Sequence, residues 1–303
     1  MAEPLASSAA EPLIASRAEP LAATASLSRQ ETATRVLALR DGAVVEREDR
    51  LVGEEPLEIK AAGPGQEPVA VAVTMRTPGH EAELAVGFLR TEGLIVPEDV
   101  AGVEFGDPRI LAQPDDTLIV RLGRPFDASR VAERHFVATA SCGICGKASL
   151  DEVAVRCDPI PVGSRVVDAE TILGLPRTLR DAQAVFETTG GLHAAGLFDL
   201  DGHLVALRED VGRHNALDKL VGSQLLAGML PLSDRILLVS GRVSFEIVQK
   251  AAVAGVPILA AISAPSDLAV DAAQRLGQTL IGFVRGAGFN VYAHPARVAL
   301  PAR

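Results

Sequence analysis

Cys142 and Cys145, in Ser141-Cys142-Gly143-Ile144-Cys145-Gly146, are the residues whose type and spacing most directly promise chemistry. Thiols at this spacing can form half of a zinc site, cycle through a disulfide, or carry sulfur. Structural zinc takes four protein ligands, and the one further cysteine, Cys157, shares a strand face with Val153 and Val155, the setting of a core residue. Zinc deaminase chemistry needs His-x-Glu together with Pro-Cys-x-x-Cys. None of the six histidines is followed two places later by glutamate, and Ser141 stands where the proline belongs. A thioredoxin-like pair asks for a strand before the motif and a helix from it. Phe136 to Thr139 supplies the strand, but Gly143 and Gly146 weaken a first helical turn. Glycines suit a loop that swings a reactive sulfur outward and back. Lys147 favours the thiolate over a thiol whose ordinary pKa is about 8.5. On these six residues alone, sulfur relay, redox pair and zinc ligand all stay open.

Other polar clusters read more plainly. Asp210, His214 and Asp218 offer metal-ligand types, yet no other histidine lies at helical spacing, so the segment reads as a capped helix start with internal ion pairs. A catalytic or docking role for His214 stays open. Thr188 to His193 contains no G-x-S-x-G nucleophile turn. His80 and His193 read as structural, and Glu81 and Glu83 as first-turn acids favoured by a helix dipole.

The elements that must position these residues follow from periodicity. Residues 1–30 repeat Ala-Glu-Pro-Leu at positions 2, 10 and 18, a composition that cannot bury enough surface to offset ordering, and read as a disordered tail. The remainder, 31–303, reads as one domain, strand-rich to about residue 140 and α/β from about 141. Val69, Val71, Val73 and Met75 alternate as one half-buried strand, and Leu118, Val120 and Leu122 as another. Between them a helix opens at Thr77 and Pro78 and closes at Gly93. A hairpin over 193–209 turns at Asp201-Gly202, and a helix follows from Asn215 to Gly228. In the last third RILLVS, VPILAAIS and TLIGFV read as buried strands. They alternate with helices capped by Ser244 and Ser266 and ended by Gly255 and Gly277, the pattern of a parallel βαβαβ sheet. Ligands of such sheets sit beyond the strands' carboxyl ends. Ser240-Gly241-Arg242, Ser263 to Ser266, and Phe283 to Gly288 fall there, with arginines and free helix-start N–H groups suited to phosphate. No GxGxxG or GxxxxGK[ST] occurs in them, which argues against a dinucleotide fold or a triphosphatase.

A formal charge of −10 repels nucleic acid in the mean, and with one tyrosine and no tryptophan there is little to stack bases on. No apolar run has membrane-spanning length and no secretion signal opens the chain, so the expected compartment is the cytoplasm, where thiols stay reduced.

Taken together, MRTPGHEAELAVGFLRTEGLI, SCGICGKASL, TGGLHAAGLFD, EDVGRHNALDKLVG, SGRVSFEIVQKAAVAGVPILAAISAPSDLAV and GFVRGAGFNVY resemble the FdhD family, the formate dehydrogenase accessory sulfurtransferases. The resemblance spans about Glu54 to His294. It implies a cytidine deaminase-like α/β sandwich, typically a homodimer. It also implies a carrier that takes persulfide sulfur from a cysteine desulfurase and passes it to the molybdenum cofactor, a bis(molybdopterin guanine dinucleotide), for formate dehydrogenase. Cys142 matches the family's persulfide cysteine and Cys145 its partner. Phe283, Val284, Arg285, Gly286, Ala287 and Gly288 match its cofactor-binding segment. No tightly bound cofactor or metal of its own is implied.

Overall fold

The computed structural model describes residues 29–107, 114–132, 159–160 and 165–301. Cys142, Cys145, Cys157 and Lys147 lie outside the described residues, as does the expected tail up to residue 28.

The central sheet has six strands in the order β13-β12-β11-β10-β8-β9. Its middle is the expected parallel trio, β10 (Ile236–Val239), β11 (Ile258–Ala261) and β12 (Thr279–Arg285). Every residue of β10 and β11 is buried, because helices cover both faces of the sheet and an alternating strand would expose a polar row to one of them. On one face lie α5 (Arg213–Leu226), α6 (Phe245–Val253) and α7 (Asp267–Arg275), whose Leu217, Leu220, Ile247, Ala251 and Ala272 pack with Leu237, Val239 and Leu259. The other face holds α3 (Ala169–Ala182), whose Ile172, Leu175 and Leu179 meet Ile236, Leu238 and Ile258. The sheet is nevertheless mixed. β8 (His193–Phe198) runs antiparallel to β10 and pairs with β9 (Leu204–Asp210) in the expected hairpin, while β13 (Gly288–Ala293) folds back antiparallel on β12.

The N-terminal half builds a second sheet, β4-β3-β6-β5, from β3 (Glu55–Ala62), β4 (Val69–Arg76), β5 (Val100–Phe105) and β6 (Thr117–Leu122). Its core is Leu57, Ile59, Leu118, Val120 and Leu122 against Leu84, Val86 and Leu89 of α1 (Glu81–Thr91). Leu118, Val120 and Leu122 share the buried face, as their alternation requires. β4 departs from its pattern. Ile59 pairs with Ala72 and Lys60 with Ala70, so Val71 is an extra residue and the alternation changes parity there. Val73 is therefore 51 % exposed, while Arg76 is buried and paired with Glu55 at 2.9 Å.

α1 starts later than Thr77 and Pro78 suggest. Its N-cap is His80, in the left-handed region at φ 62. Thr77 is instead buried, its N–H donating to Asp210 Oδ2 at 3.1 Å and its hydroxyl accepting from Val211 N at 3.1 Å. A threonine with a tertiary partner is lost as a local cap.

The two sheets are joined where α1 crosses α5. A methyl group on Gly87 would lie 1.8 Å from the Asp218 carbonyl oxygen, and one on Gly222 1.8 Å from that of Glu83, so only glycine permits backbones this close. Away from both sheets, β1 (Glu31–Arg40) and β2 (Ala43–Val52) form a two-stranded ribbon paired over all their residues. Among the described residues no helix is long and apolar enough to cross a membrane.

Candidate functional site

The carboxyl ends of β10, β11 and β12 form one continuous platform. Leaving β10, Ser240 accepts from Ala194 N through Oγ at 2.9 Å and returns its own N–H to Ala194 O at 3.0 Å, which ties the strand end to β8. Val243 then donates to Ala264 O at 3.0 Å and accepts from Ser266 N at 2.9 Å, and Phe283 N donates to Ser263 O at 3.0 Å. The three segments expected at the strand ends are therefore brought together by backbone hydrogen bonds. Their entries into α6 and α7 differ. Ser266 caps α7 by accepting from Ala269 N at 3.2 Å. Ser244 stands at the N-cap of α6 without a side-chain cap bond, its Oγ 3.4 Å from His214 Nε2 instead.

The segment Phe283 to Gly288 is a hairpin. β12 continues through Arg285, the turn is at Gly286-Ala287, and Gly288 begins β13. Val284 points into the core beneath α3, so it cannot touch a ligand above the sheet. Phe283 (φ 55) and Gly286 (φ 59) take left-handed conformations. Arg285 is exposed and its guanidinium stands 5.1 Å from the Phe283 ring centroid, a stacked cation at the tip of the sheet.

At the β10 end a second cationic group gathers. A methyl group on Gly241 would meet His193 Nδ1 at 3.2 Å and Arg213 Cδ at 3.4 Å, so the bare glycine leaves room between them. Arg242 is exposed beside them, and Arg213 Nε is buried without a hydrogen-bond partner among the described residues. Burial, then the cation of Arg213, holds His193 below the ordinary histidine value.

Asp210, His214 and Asp218 do not converge. Asp210 accepts from Gly212 N at 2.8 Å and Thr77 N at 3.1 Å and pairs with Lys219 at 2.7 Å, which makes it a structural carboxylate. Asp218 accepts from Thr91 Oγ1 at 2.6 Å and from Lys250 Nζ at 2.9 and 3.0 Å, and Lys250 also reaches Glu92 at 3.0 Å. Burial holds the Asp218 carboxyl above its ordinary value, with the Lys250 cation opposing the shift. The ammonium held by both Asp218 oxygens and by Glu92 makes the pair ionic, with Lys250 above its ordinary value despite its burial. His214 is pushed down to about 3, first by burial and then by the Lys250 and Arg213 cations, and faces Ser244 and Glu246. The reading of this segment as a capped helix start with internal ion pairs thus holds only for the Asp210–Lys219 pair: Asp218 finds its cation on α6, and the N-cap, Gly212, makes no side-chain cap bond. Glu83, read as a first-turn acid, is also tied to Arg208 by paired hydrogen bonds, one of 2.7 Å.

Asp199, Asp201 and His203 bring possible metal-ligand atoms within 4.8 Å of one another in the β8–β9 turn. There the Asp199 carboxylate already accepts from Asp201 N, His203 N and the His203 ring, which is how an Asx turn is held.

Sequence reasoning passed over Glu246, Gln249 and Lys250, all buried on α6. The available signal was three polar residues at i, i+3 and i+4 in a helix crossing between buried parallel strands.

The FdhD/NarQ family profile matches residues 52–299. The chain belongs to the FdhD/NarQ family. Relatives similar along nearly the whole length are the sulfur carrier protein FdhD of Streptomyces avermitilis, 48 % identical over 91 % of this chain and 98 % of the relative, and that of Nocardia farcinica, 47 % identical over 87 % and 93 %. Among solved structures, a protein of Desulfotalea psychrophila designated a formate dehydrogenase accessory protein superposes with a TM-score of 0.66. It is 24 % identical and covers 89 % of this chain and 100 % of its own. That likeness establishes the shared α/β fold. Membership in FdhD/NarQ accords with the resemblance carried by the sequence blocks, and the platform is built from two of those blocks.

Proposed function

We propose that this FdhD/NarQ protein is a cytoplasmic sulfurtransferase that carries sulfur as a persulfide on Cys142 and delivers it to the molybdenum cofactor of formate dehydrogenase. The observation that carries the reading is Cys142-x-x-Cys145 inside the family match, in a chain close to relatives named sulfur carriers. In the loading step the Cys142 thiolate attacks the terminal sulfur of a persulfide on a cysteine desulfurase. A new S–S bond forms at Cys142, the donor's S–S bond breaks, and the donor cysteine leaves as thiolate. Cys145, three positions on, accepts the same sulfur in this reading by a second exchange of this kind.

The client, a bis(molybdopterin guanine dinucleotide), is cargo and not a resident cofactor. The platform chemistry fits its phosphates: exposed Arg242 and Arg285 flank backbone that turns inward at the strand ends, and α5 and α6 present first-turn N–H groups without side-chain caps. Phe283, Arg285, Gly286, Ala287 and Gly288 are its contacts at the hairpin, with Val284 holding the strand from below. Two copies of the chain form the working unit in this reading.

Intact-mass spectrometry after incubation with a cysteine desulfurase and cysteine tests it. Wild type gains the mass of one sulfur, Cys142→Ala gains none at that position, and cells carrying Cys142→Ala lose formate dehydrogenase activity. Full maturation by Cys142→Ala would instead identify a cofactor-binding chaperone without covalent transfer.

A further inference from the structure

The β1–β2 ribbon is rooted firmly and ends in the open. At its root Gly53 N donates to Gln30 O at 2.6 Å, the Thr188 hydroxyl donates to Glu31 at 2.8 Å, and Arg50 pairs with Glu31 at 3.1 Å. A methyl group on Gly191 would lie 3.0 Å from Val52, so the root also sits against the chain that enters β8. The outer half is different. Leu37, Val44 and Leu39 are 77, 69 and 68 % exposed, the three most exposed large apolar side chains among the described residues. They are also neighbours. Leu39 lies directly opposite Val44, and Leu37 is two residues before Leu39, so all three stand on one face of the ribbon near its turn at Asp41-Gly42. A two-stranded ribbon alone is marginal in water, and one that carries its largest apolar side chains outward calls for a further strand or layer. Among the described residues β1 pairs with β2 alone, which leaves its outer edge of N–H and C=O groups open to take that strand.

The sequence of β1 fits a second copy of itself. Laid antiparallel across a twofold axis at Ala38, Leu37 comes opposite the partner's Leu39 and the exposed Arg35 opposite the partner's Asp41, each contact made twice. The small Ala38 meets its own copy at the axis. Directly opposite residues share a face, so the leucines of both copies and both Val44 side chains then form one continuous apolar strip. A slip of one residue would set the leucines on opposite faces and Arg40 against the partner's Arg35, which disfavours it. We propose that the outer edge of β1 is the surface through which two copies of this chain associate, giving a four-stranded sheet β2-β1-β1-β2 across the axis. The proposal rests on the reading above that two copies form the working unit, and it names the surface that joins them. β1 precedes residues 52–299, so this surface is separate from the sequence that the family profile describes.

Sedimentation equilibrium of the full chain across the micromolar range tests the contact. Wild type has twice the 31.6 kDa mass of the chain. Leu37→Asp with Leu39→Asp sets four carboxylates on the shared strip and weakens association at least about a hundredfold. Val73→Asp, at an exposed apolar residue of β4, changes it less than about twofold. The register is read by disulfide formation in a chain whose Cys142, Cys145 and Cys157 are replaced by serine. Ala38→Cys links the two copies on mild oxidation, because opposed residues of an antiparallel pair stand about 5 Å apart at Cα, within a disulfide's span. Val45→Cys, opposite Ala38 on β2, does not, since three strand spacings, about 14 Å, separate it from its copy. The crosslink adds no charge to the ribbon, so a misfolded aspartate variant, detected by circular dichroism, leaves the test in force. A dimer that the folded aspartate variant retains, or linkage through Val45→Cys in place of Ala38→Cys, overturns the role of β1 and leaves the two-copy reading intact. A wild-type monomer throughout the range overturns both.

Discussion

The crossing of α1, α5 and α6 and the β1–β2 ribbon are both crowded with opposite charges, and they use them in opposite ways. At the crossing, Asp210 and Lys219, and Asp218 and Lys250, are paired at 0 to 5 % side-chain exposure, each carboxylate also receiving neutral donors. In the ribbon, Arg47 pairs with Asp49 at 2.8 Å and Arg50 with Glu31 at 3.1 Å, with side chains mostly 37 to 53 % exposed. Leu37 and Leu39 beside them are 77 and 68 % exposed. A partner's value is set by the cost of being without it. Water answers a ribbon charge that loses its mate, whereas nothing answers one at the crossing. The crossing therefore fixes how the two sheets meet and holds the start of α5, and with it Arg213 and His214, in place beneath the platform.

The largest expected break comes from removing one member of a buried pair. Asp218→Ala leaves the buried Lys250 with Glu92 as its one remaining carboxylate among the described residues, and should cost about 3 kcal/mol in urea unfolding. Replacing Asp218 and Lys250 together by leucine and methionine should recover most of that loss. A cost below about 1 kcal/mol for the single change would mean that water enters the crossing and answers its charges as it does those of the ribbon.

Next comes pH. Burial would raise the Glu83 carboxyl, but the hydrogen bonds from Arg208, and then from His80, hold it down at about 2 against an ordinary 4.5. The native state thus binds fewer protons than the unfolded chain between those values. The contribution of Glu83 is complete above pH 4.5 and drains away as pH falls toward 2. It amounts to at most about 3 kcal/mol. Urea midpoints measured from pH 5 to pH 2 should fall less steeply in Glu83→Gln than in wild type.

The smallest effect belongs to the ribbon. Arg47→Ala should change stability by less than about 0.5 kcal/mol, and salt should erase even that. A larger loss, insensitive to salt, would place the ribbon charges in the same class as those of the crossing.

How much of this was legible beforehand depended on range. RILLVS, VPILAAIS and TLIGFV, with Ser266 before α7 and Gly255 and Gly277 after α6 and α7, announce their elements because strand burial, caps and left-handed glycines are decided within a few residues. The same locality misled at Thr77, which carries a cap's chemistry but spends it on Asp210, and in β4, where one extra residue opposite Ile59 turned Val73 outward. The platform was legible as three strand ends. That its third member turns back as a hairpin was not, because an antiparallel edge strand and a crossover begin with the same apolar run.

By itself, then, the sequence determined the elements, the parallel centre of the sheet and the Cys142-x-x-Cys145 motif, since each is written in residues close along the chain. Only the tertiary structure decided which polar residues are answered. Asp210, Asp218 and Lys250 find partners from distant segments while, among the described residues, Glu246 Oε1 and Gln249 Nε2 find none, because desolvation charges every buried group alike and pairing depends on which helices the glycine crossing brings together.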